Sequence, residues 1–211
     1  MVNKNKNVVY IYMKLVHFFF LEIGLGKLED HPLYLNNIAA LKKLNPETEV
    51  IIWDEEKLDK LVNSNYTELL EIWNNFPSTF YKIDFGRYLV LKKHGGAYFD
   101  LDVECIKKLP DEDEMDFINV DYWWKFPRGE KFNCSILYFR DPKIYDEIIE
   151  FSVDRIRNFK LPRRWGSEHR YMHTVAARMY DKFCYGKGMK KTAITEYVRE
   201  SYTTSWKKVK V

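Results

Sequence analysis

Residues 82–104 read KIDFGRYLVLKKHGGAYFDLDVE, and the fold turns on how this stretch is parsed. Its first half suits a helix. Ile83, Leu89, Val90 and Leu91 offer apolar contacts, and Lys92, Lys93 and His94 fall in the last turn, where positive charge complements the helix dipole. Gly95 is a natural stop, because glycine takes the left-handed backbone that often ends a helix. Ala97-Tyr98-Phe99 then reads as a brief strand running into Asp100, Asp102 and Glu104. If the backbone stays extended, alternation turns the three acids one way and Leu101 and Val103 the other way, into a core. Three like charges on one side repel, a cost that makes sense if a divalent cation or hydrogen-bond donors sit among them. The acids lack the further fixed ligands of an EF-hand loop, so calcium bound in that manner is not expected.

Upstream, KLVHFFFL (14–21) is a short apolar run typical of a strand covered on both faces. PLYLNNIAALKKLNP (32–46) suits a helix, with Tyr34, Ile38, Leu41 and Leu44 on one stripe and Asn45-Pro46 ending it. TEVIIWD (48–54) is a strand whose Asp54 is placed to cap the helix beginning EEKLDKLV, and a second helical piece covers YTELLEIW (66–73). Downstream, DFINV and NCSILYF read as strands. DPKIYDEIIEF (141–151) reads as a helix with Asp141 as cap and Pro142 at its first position. Beyond residue 152 the pattern weakens to a basic loop, a helix over SEHRYMHTVAARMY and an irregular tail. This order predicts an α/β domain with a Rossmann-like, mostly parallel sheet that becomes mixed toward the C-terminus and is flanked by helices. Such sheets bind ligands beyond the carboxyl ends of their strands, where the acids fall.

The 211 residues, 46% of them hydrophobic, fit a single domain spanning 1–211. A net charge of +3 does not suggest nucleic acid as a partner, although residues 182–211 hold eight basic and two acidic residues. Cys105, Cys134 and Cys184 show no metal spacing, which favours a reducing compartment. Lys14 and His17 interrupt the N-terminal apolar run, so no membrane span is expected, and the chain reads as soluble and cytoplasmic, in a host's cytoplasm if viral. Met13 could serve as a start, leaving 1–12 as a leader.

Asp84, Arg87, Leu91, Gly95, Gly96, Tyr98, Asp100 and Asp102 together carry more than a bare DxD. The string resembles glycosyltransferase family 32, the DXD sugar transferases that include yeast-type mannosyltransferases and, more distantly, glucosylating bacterial toxins. The resemblance covers residues 14–110 well and the remainder loosely. It implies a GT-A fold, a nucleotide-sugar donor and a manganese or magnesium ion. Carried over, Asp102 would ligate the metal, and Asp100 would contact the donor ribose or sugar, or the metal through water. Asp84 and Arg87 would grip sugar hydroxyls, with Tyr98 in the donor site, and Glu104 has no assigned role. Asn133, in FNCSILYF, is similar to the Asn on a strand of related retaining transferases, and a turn-forming Asn is the competing reading. ESYTTSW (200–206) resembles the family's terminal motif, with Ser205 and Trp206 matching and Glu200 and Ser201 standing where histidines are expected. Glu200 or Ser205 would then complete the metal site, Trp206 would lie on the diphosphate, and Lys207 or Lys208 would give the basic segment 182–211 a purpose in closing the donor site.

The implied activity is metal-dependent transfer of a hexose, with retention, from a nucleotide sugar to a glycan or glycoprotein acceptor. A UDP-sugar is favoured over GDP-mannose. The competing reading is a nucleotide-sugar or carbohydrate-binding protein without turnover, motivated by the altered histidine positions. The missing anchor and small size also resemble soluble transferases of large algal viruses, which decorate capsid glycans. His169 and His173 with Glu168 lack the HExxH order and a third ligand, so a structural pair is expected there rather than zinc. Trp123, Trp124 and Phe126 are read as packing under a loop, with an acceptor platform as the alternative.

Overall fold

The structure is a computed structural model and describes residues 14–21, 23–111, 117–119, 135–158 and 191–201. Its centre is a four-stranded sheet built from β1 (Leu15–Phe19), β2 (Glu49–Trp53), β3 (Ala97–Phe99) and β6 (Ile136–Leu137), in the order β2-β1-β3-β6. The first three strands are parallel and β6 is antiparallel to β3, so the expected mixed, mostly parallel sheet is what forms. Two further pairs lie outside it: β4 (Val103–Cys105) runs antiparallel to β8 (Val198–Glu200), and β5 (Phe117–Asn119) runs parallel to β7 (Lys191–Ala193). The tail is therefore not wholly irregular, contrary to expectation. Its residues are short strands that pair with distant partners, and such pairing leaves no local periodicity to read.

Among the described residues five helices cover the sheet: α1 (Pro32–Leu44), α2 (Glu55–Asn65), α3 (Leu70–Asn74), α4 (Thr79–His94) and α5 (Lys143–Asn158). Asp54 caps α2 as expected, its carboxylate accepting from Lys57 N–H at 2.8 Å. Asp141 likewise accepts from Lys143 N–H at 3.0 Å ahead of α5, which runs several residues farther than its apolar stripe suggested.

Strand alternation sorts the apolar residues into two cores. Val16, Phe18, Ala97, Phe99 and Ile136 pack with Tyr34, Ile38 and Leu41 of α1 on one face. Phe19, Trp53, Tyr98 and Leu137 pack with α2 to α5 on the other. β1, central and covered on both faces, is buried from Val16 to Phe19, which is why its sequence is a continuous apolar run. α4 is buried nearly all round from Phe85 to Leu91, the behaviour of a core helix rather than an amphipathic surface one.

The α4–β3 junction requires its two glycines for different reasons. Gly95 (φ +69°) accepts no strain-free side chain but has open space around it, and its N–H closes the helix on Leu91 O at 2.9 Å. Gly96 (φ +74°) is also crowded: a Cβ there would lie 2.4 Å from the Leu15 carbonyl oxygen, so β1 and β3 could not stay in register beside it. Beneath this junction His17, fully buried, donates from Nε2 to Gly95 O (2.9 Å) and accepts at Nδ1 from Trp53 Nε1–H (3.0 Å). Those two partners fix the neutral Nε2–H tautomer, and burial pushes its pKa down to about 4.

Candidate functional site

Alternation also assembles the site. Tyr98 and Asp100 are two residues apart and so share the sheet face that α4 covers. On α4, Asp84 and Arg87 are three residues apart and neighbours on the helix. Arg87 Nη1 lies 3.3 Å from Asp84 Oδ1 and Nη2 lies 3.2 Å from Asp100 Oδ1, while its guanidinium carbon stands 4.6 Å from the centre of the Tyr98 ring. Tyr98 is buried and donates its hydroxyl to the same Asp100 Oδ1 at 2.5 Å. Oδ2 is thus the Asp100 oxygen that neither Arg87 nor Tyr98 uses.

These are not surface pairs. The side chains of Arg87 and Asp84 are only 10% and 17% exposed, against 30% for Asp100, so the cluster opens to solvent at Asp100. Burial raises the Asp100 carboxyl to about pKa 6; Arg87 opposes that shift, Asp102 reinforces it, Tyr98's hydrogen bond opposes it and Asp84 reinforces it. The Tyr98 phenol is pushed well above its ordinary value, chiefly by burial. A carboxyl raised toward neutrality beside a buried guanidinium, yet partly exposed, is the kind of environment found at sites that receive a charged ligand.

Asp102 enters through a turn, not through continued strand. Val103 N–H reaches back to Asp100 O at 3.1 Å, so the chain folds over at Leu101 and Asp102 before β4 begins. The expectation that Asp100, Asp102 and Glu104 line one side of extended backbone therefore fails, because alternation does not carry across a turn. Leu101 and Val103 are nonetheless buried. Glu104 faces Arg199 across the β4–β8 pair at 3.9 Å, with the two side chains 40% and 71% exposed, an arrangement that contributes little.

Glu200 reaches the back of the same turn. It stands opposite Val103 on β8 and accepts from the Ser135 hydroxyl at 3.1 Å, while Ser201 N–H donates to Asp102 O at 2.9 Å. Ser135, 2% exposed, also receives Asp100 N–H on its carbonyl at 2.7 Å. Sequence reasoning passed over Ser135 in favour of Asn133. It also passed over Asn37, although the spacing Tyr34, Asn37, Ile38, Leu41 puts that amide on the apolar stripe of α1, where a polar side chain needs a partner. Asn133, Ser205, Trp206, Lys207 and Lys208 lie outside the described residues, as do Trp123, Trp124, Phe126, Glu168, His169, His173, Cys134, Cys184 and residues 1–12. Cys105 is a buried free thiol.

Among the described residues no three His, Cys, Asp or Glu side chains form a ready metal cluster. Asp100 and Asp102 at one turn do fit a hard cation that arrives on a diphosphate, because such an ion keeps phosphate and water oxygens and needs one or two carboxylates from protein. The donor set is all oxygen, the type suited to magnesium or manganese.

An acidic turn at the carboxyl edge of β3, backed by an Asp-Arg pair on the adjoining helix of an α/β sheet, is the arrangement implied by the resemblance to the DXD sugar transferases. Residues 33–122 match the family described as glycosyltransferase sugar-binding region containing DXD motif. Among similar proteins, inositol phosphoceramide mannosyltransferase 1 of Schizosaccharomyces pombe is 30% identical over 77 residues, covering 35% of this chain and 24% of that protein. The uncharacterized glycosyltransferase L373 of Acanthamoeba polyphaga mimivirus is 38% identical over 60 residues, covering 28% of this chain and 24% of that protein. The chain thus spans about a quarter of either relative. Of solved structures, the PaToxG glycosyltransferase superposes with a TM-score of 0.48 at 16% identity, covering 80% of this chain and 69% of that one. Among the described residues no helix is long and apolar enough to cross a membrane.

Proposed function

We propose that this chain is the donor-binding and catalytic unit of a metal-dependent glycosyltransferase of GT-A type, which moves a hexose from a nucleoside diphosphate sugar to a glycan or glycoprotein acceptor. The observation that carries this reading is the convergence of Asp84, Arg87 and Tyr98 on Asp100 at the turn that also bears Asp102. Asp102, with Asp100 Oδ2 or Glu200 beside it, would hold manganese or magnesium. The ion would supply positive charge against the diphosphate as the bond from sugar to phosphate breaks. Arg87 is fixed before any ligand arrives, so it can hold Asp100 in one orientation toward the donor without reorganising during reaction. Asp84, tied to Arg87 Nη1, would present its other oxygen to sugar hydroxyls.

Among the described residues no pair of carboxylates takes the separate acid and nucleophile roles of a hydrolase, and the resemblance to the DXD sugar transferases supports retention, with the leaving phosphate taking the acceptor's proton. Trp206 on the diphosphate, Lys207 beside it, Ser205 near the cation and Asn133 toward the sugar complete the proposed site, within a single unit of residues 1–211 closed by 182–211. The UDP-hexose expected from the sequence now competes with a mannosyl donor, which the name of the fission yeast relative supports. The mimivirus relative supports a viral setting.

Incubation with manganese and a panel of UDP- and GDP-sugars tests the proposal. Donor turnover that disappears in Asp102→Asn is the expected result. Tight donor binding without turnover in any combination would replace the enzyme with a binding module.

A further inference from the structure

The acidic turn is tied down by four hydrogen bonds to the backbone of three consecutive residues. Asp100 N–H donates to Ser135 O (2.7 Å), Asp100 O accepts from Val103 N–H (3.1 Å), Leu101 O accepts from Asn37 Nδ2 (2.9 Å), and Asp102 O accepts from Ser201 N–H (2.9 Å). Three of these ties are made by backbone and no side-chain substitution removes them. The tie at Leu101 comes from a side chain, that of Asn37, which is 3% exposed on α1.

Its place in the turn matters. The Leu101 carbonyl belongs to the peptide plane joining Leu101 to Asp102, so fixing its direction fixes the plane from which the Asp102 side chain departs. α1 carries a second buried amide, Asn45, two turns farther along. It accepts from Leu109 N–H at 2.8 Å and donates to Leu41 O and toward the Cys105 sulfur. The two asparagines hold the start and the end of the segment from the acidic turn to Leu109, and only Asn37 acts at the acids.

We propose that Asn37 is a positioning residue for the acidic turn, orienting Asp102 toward the cation and diphosphate from behind. This rests on the reading of Asp102 as a metal-holding group. Removing a partner that orients a metal ligand commonly weakens metal affinity ten- to a hundredfold, and the same scale applies here.

Asn45 supplies the control, because losing either amide orphans a buried backbone group and destabilises the protein to a similar degree. The test compares Asn37→Leu with Asn45→Leu on the whole chain, by amide hydrogen exchange and by manganese titration followed by electron paramagnetic resonance, with UDP or GDP present. Asn37→Leu should speed exchange at the Val103 and Ser201 amides and weaken manganese binding by about ten- to a hundredfold. Asn45→Leu should speed exchange at Leu109 and leave manganese affinity within about twofold. If Asn37→Leu does not fold, Asn37→Ala removes the donor without adding bulk or charge. Unchanged manganese affinity in the Asn37 variant, or equal weakening in both variants, overturns the proposal. If the unaltered chain takes up no manganese, or Asp102→Asn binds it unchanged, the metal reading falls and this role falls with it. That result is distinct from the failure of Asn37 alone.

Discussion

α4 carries two polar clusters, and they solve opposite problems. At its C-terminal end, the Gly95 carbonyl, His17 and Trp53 form a neutral chain in which each hydrogen-bonding atom of the imidazole has one partner. Two turns earlier, Arg87, Asp84, Asp100 and Tyr98 form a charged group in which Oδ2 of Asp84 and Oδ2 of Asp100 both lie outside these internal contacts. The first is closed and serves to lock β1, β2 and α4 together. The second is built on the same helix and the same sheet face, yet it ends at partly exposed Asp100 and the Asp102 turn.

The largest test of that contrast is removal of Arg87. Arg87→Met would leave Asp84 and Asp100 without their shared cation and should cost about 3–5 kcal/mol, the range for breaking a buried ion pair, with Asp100's exposure favouring the lower end. Chemical denaturation reads this cost. Donor turnover should be lost as well, even at temperatures where the variant is fully folded. If a folded Arg87→Met retained turnover, the charged cluster would be as structural as the neutral one.

The two clusters also respond to acid in opposite senses. His17 has a native pKa of about 4, below its ordinary 6.5, so the native state resists its protonation. Its contribution is therefore fully present above pH 6.5 and is lost as pH falls toward 4, a loss on the order of 3 kcal/mol. Asp100 is raised to about 6 from 3.8, so its contribution is fully present below pH 3.8 and is lost as pH rises through 6. That opposing term is smaller, about 1–2 kcal/mol after allowance for Asp100's exposure. Stability should therefore fall on acidification from pH 6.5 to 4. Asp100→Asn should steepen that fall and His17→Phe should flatten it, both read from denaturation midpoints across the range. Turnover should decline below pH 6 as Asp100 takes up its proton.

A smaller effect separates His17's two partners. Trp53→Phe keeps most of the ring packing but leaves His17 Nδ1 without its donor inside the core, at a cost of about 1–3 kcal/mol. It should not change the apparent affinity for a nucleotide sugar. A shift in donor affinity comparable to that of Arg87→Met would mean that the two clusters are coupled through α4.

How far these arrangements could be read in the sequence depends on the range over which each residue is determined. β1, α1, β2, α2 and α4 announce themselves because local periodicity and caps such as Asp54 and Gly95 are written within a few residues. The pairing of Asp84 with Arg87 is equally visible as a three-residue spacing. Its burial is not, because that depends on β3 and α5 packing against α4 from elsewhere in the chain. The turn at Leu101 defeated the alternation argument for the acids, since a bare DxD does not say whether the backbone continues or folds back. Ser135, Asn37 and Glu200 reach the turn through contacts 35 to 97 residues apart, as the pairs Ser135–Asp100, Asn37–Leu101 and Glu200–Val103 show. No local pattern encodes such contacts.

The finest test of independence lies at Gly86, between Asp84 and Arg87. A Cβ there would stand 3.2 Å from the Phe19 ring, 3.4 Å from Trp73 and 3.6 Å from Leu58, all on the flank where α4 meets the larger core. Gly86→Ala gains about 1 kcal/mol of helix propensity. Against this, the Phe19 ring must yield by a few tenths of an ångström, and that ring is itself packed edge-on against Tyr98 at 5.1 Å between centroids. The two effects nearly cancel, so the net stability change should stay within about 1 kcal/mol. Its functional effect should be more informative than its energy. Phe19 packs against Tyr98 and Tyr98 holds Asp100, so a displacement of Phe19 toward Tyr98 runs into the charged cluster. His17 is also near, in register with Tyr98 and two residues along β1 from Phe19, but its two hydrogen bonds go to Gly95 O and Trp53 Nε1, and neither residue is among the atoms a Cβ at Gly86 would meet. Gly86→Ala should therefore alter donor turnover severalfold while the acid limb of stability assigned to His17 stays where it was. A displaced acid limb with unchanged turnover would reverse the assignment of which cluster is mechanically tied to the middle of α4.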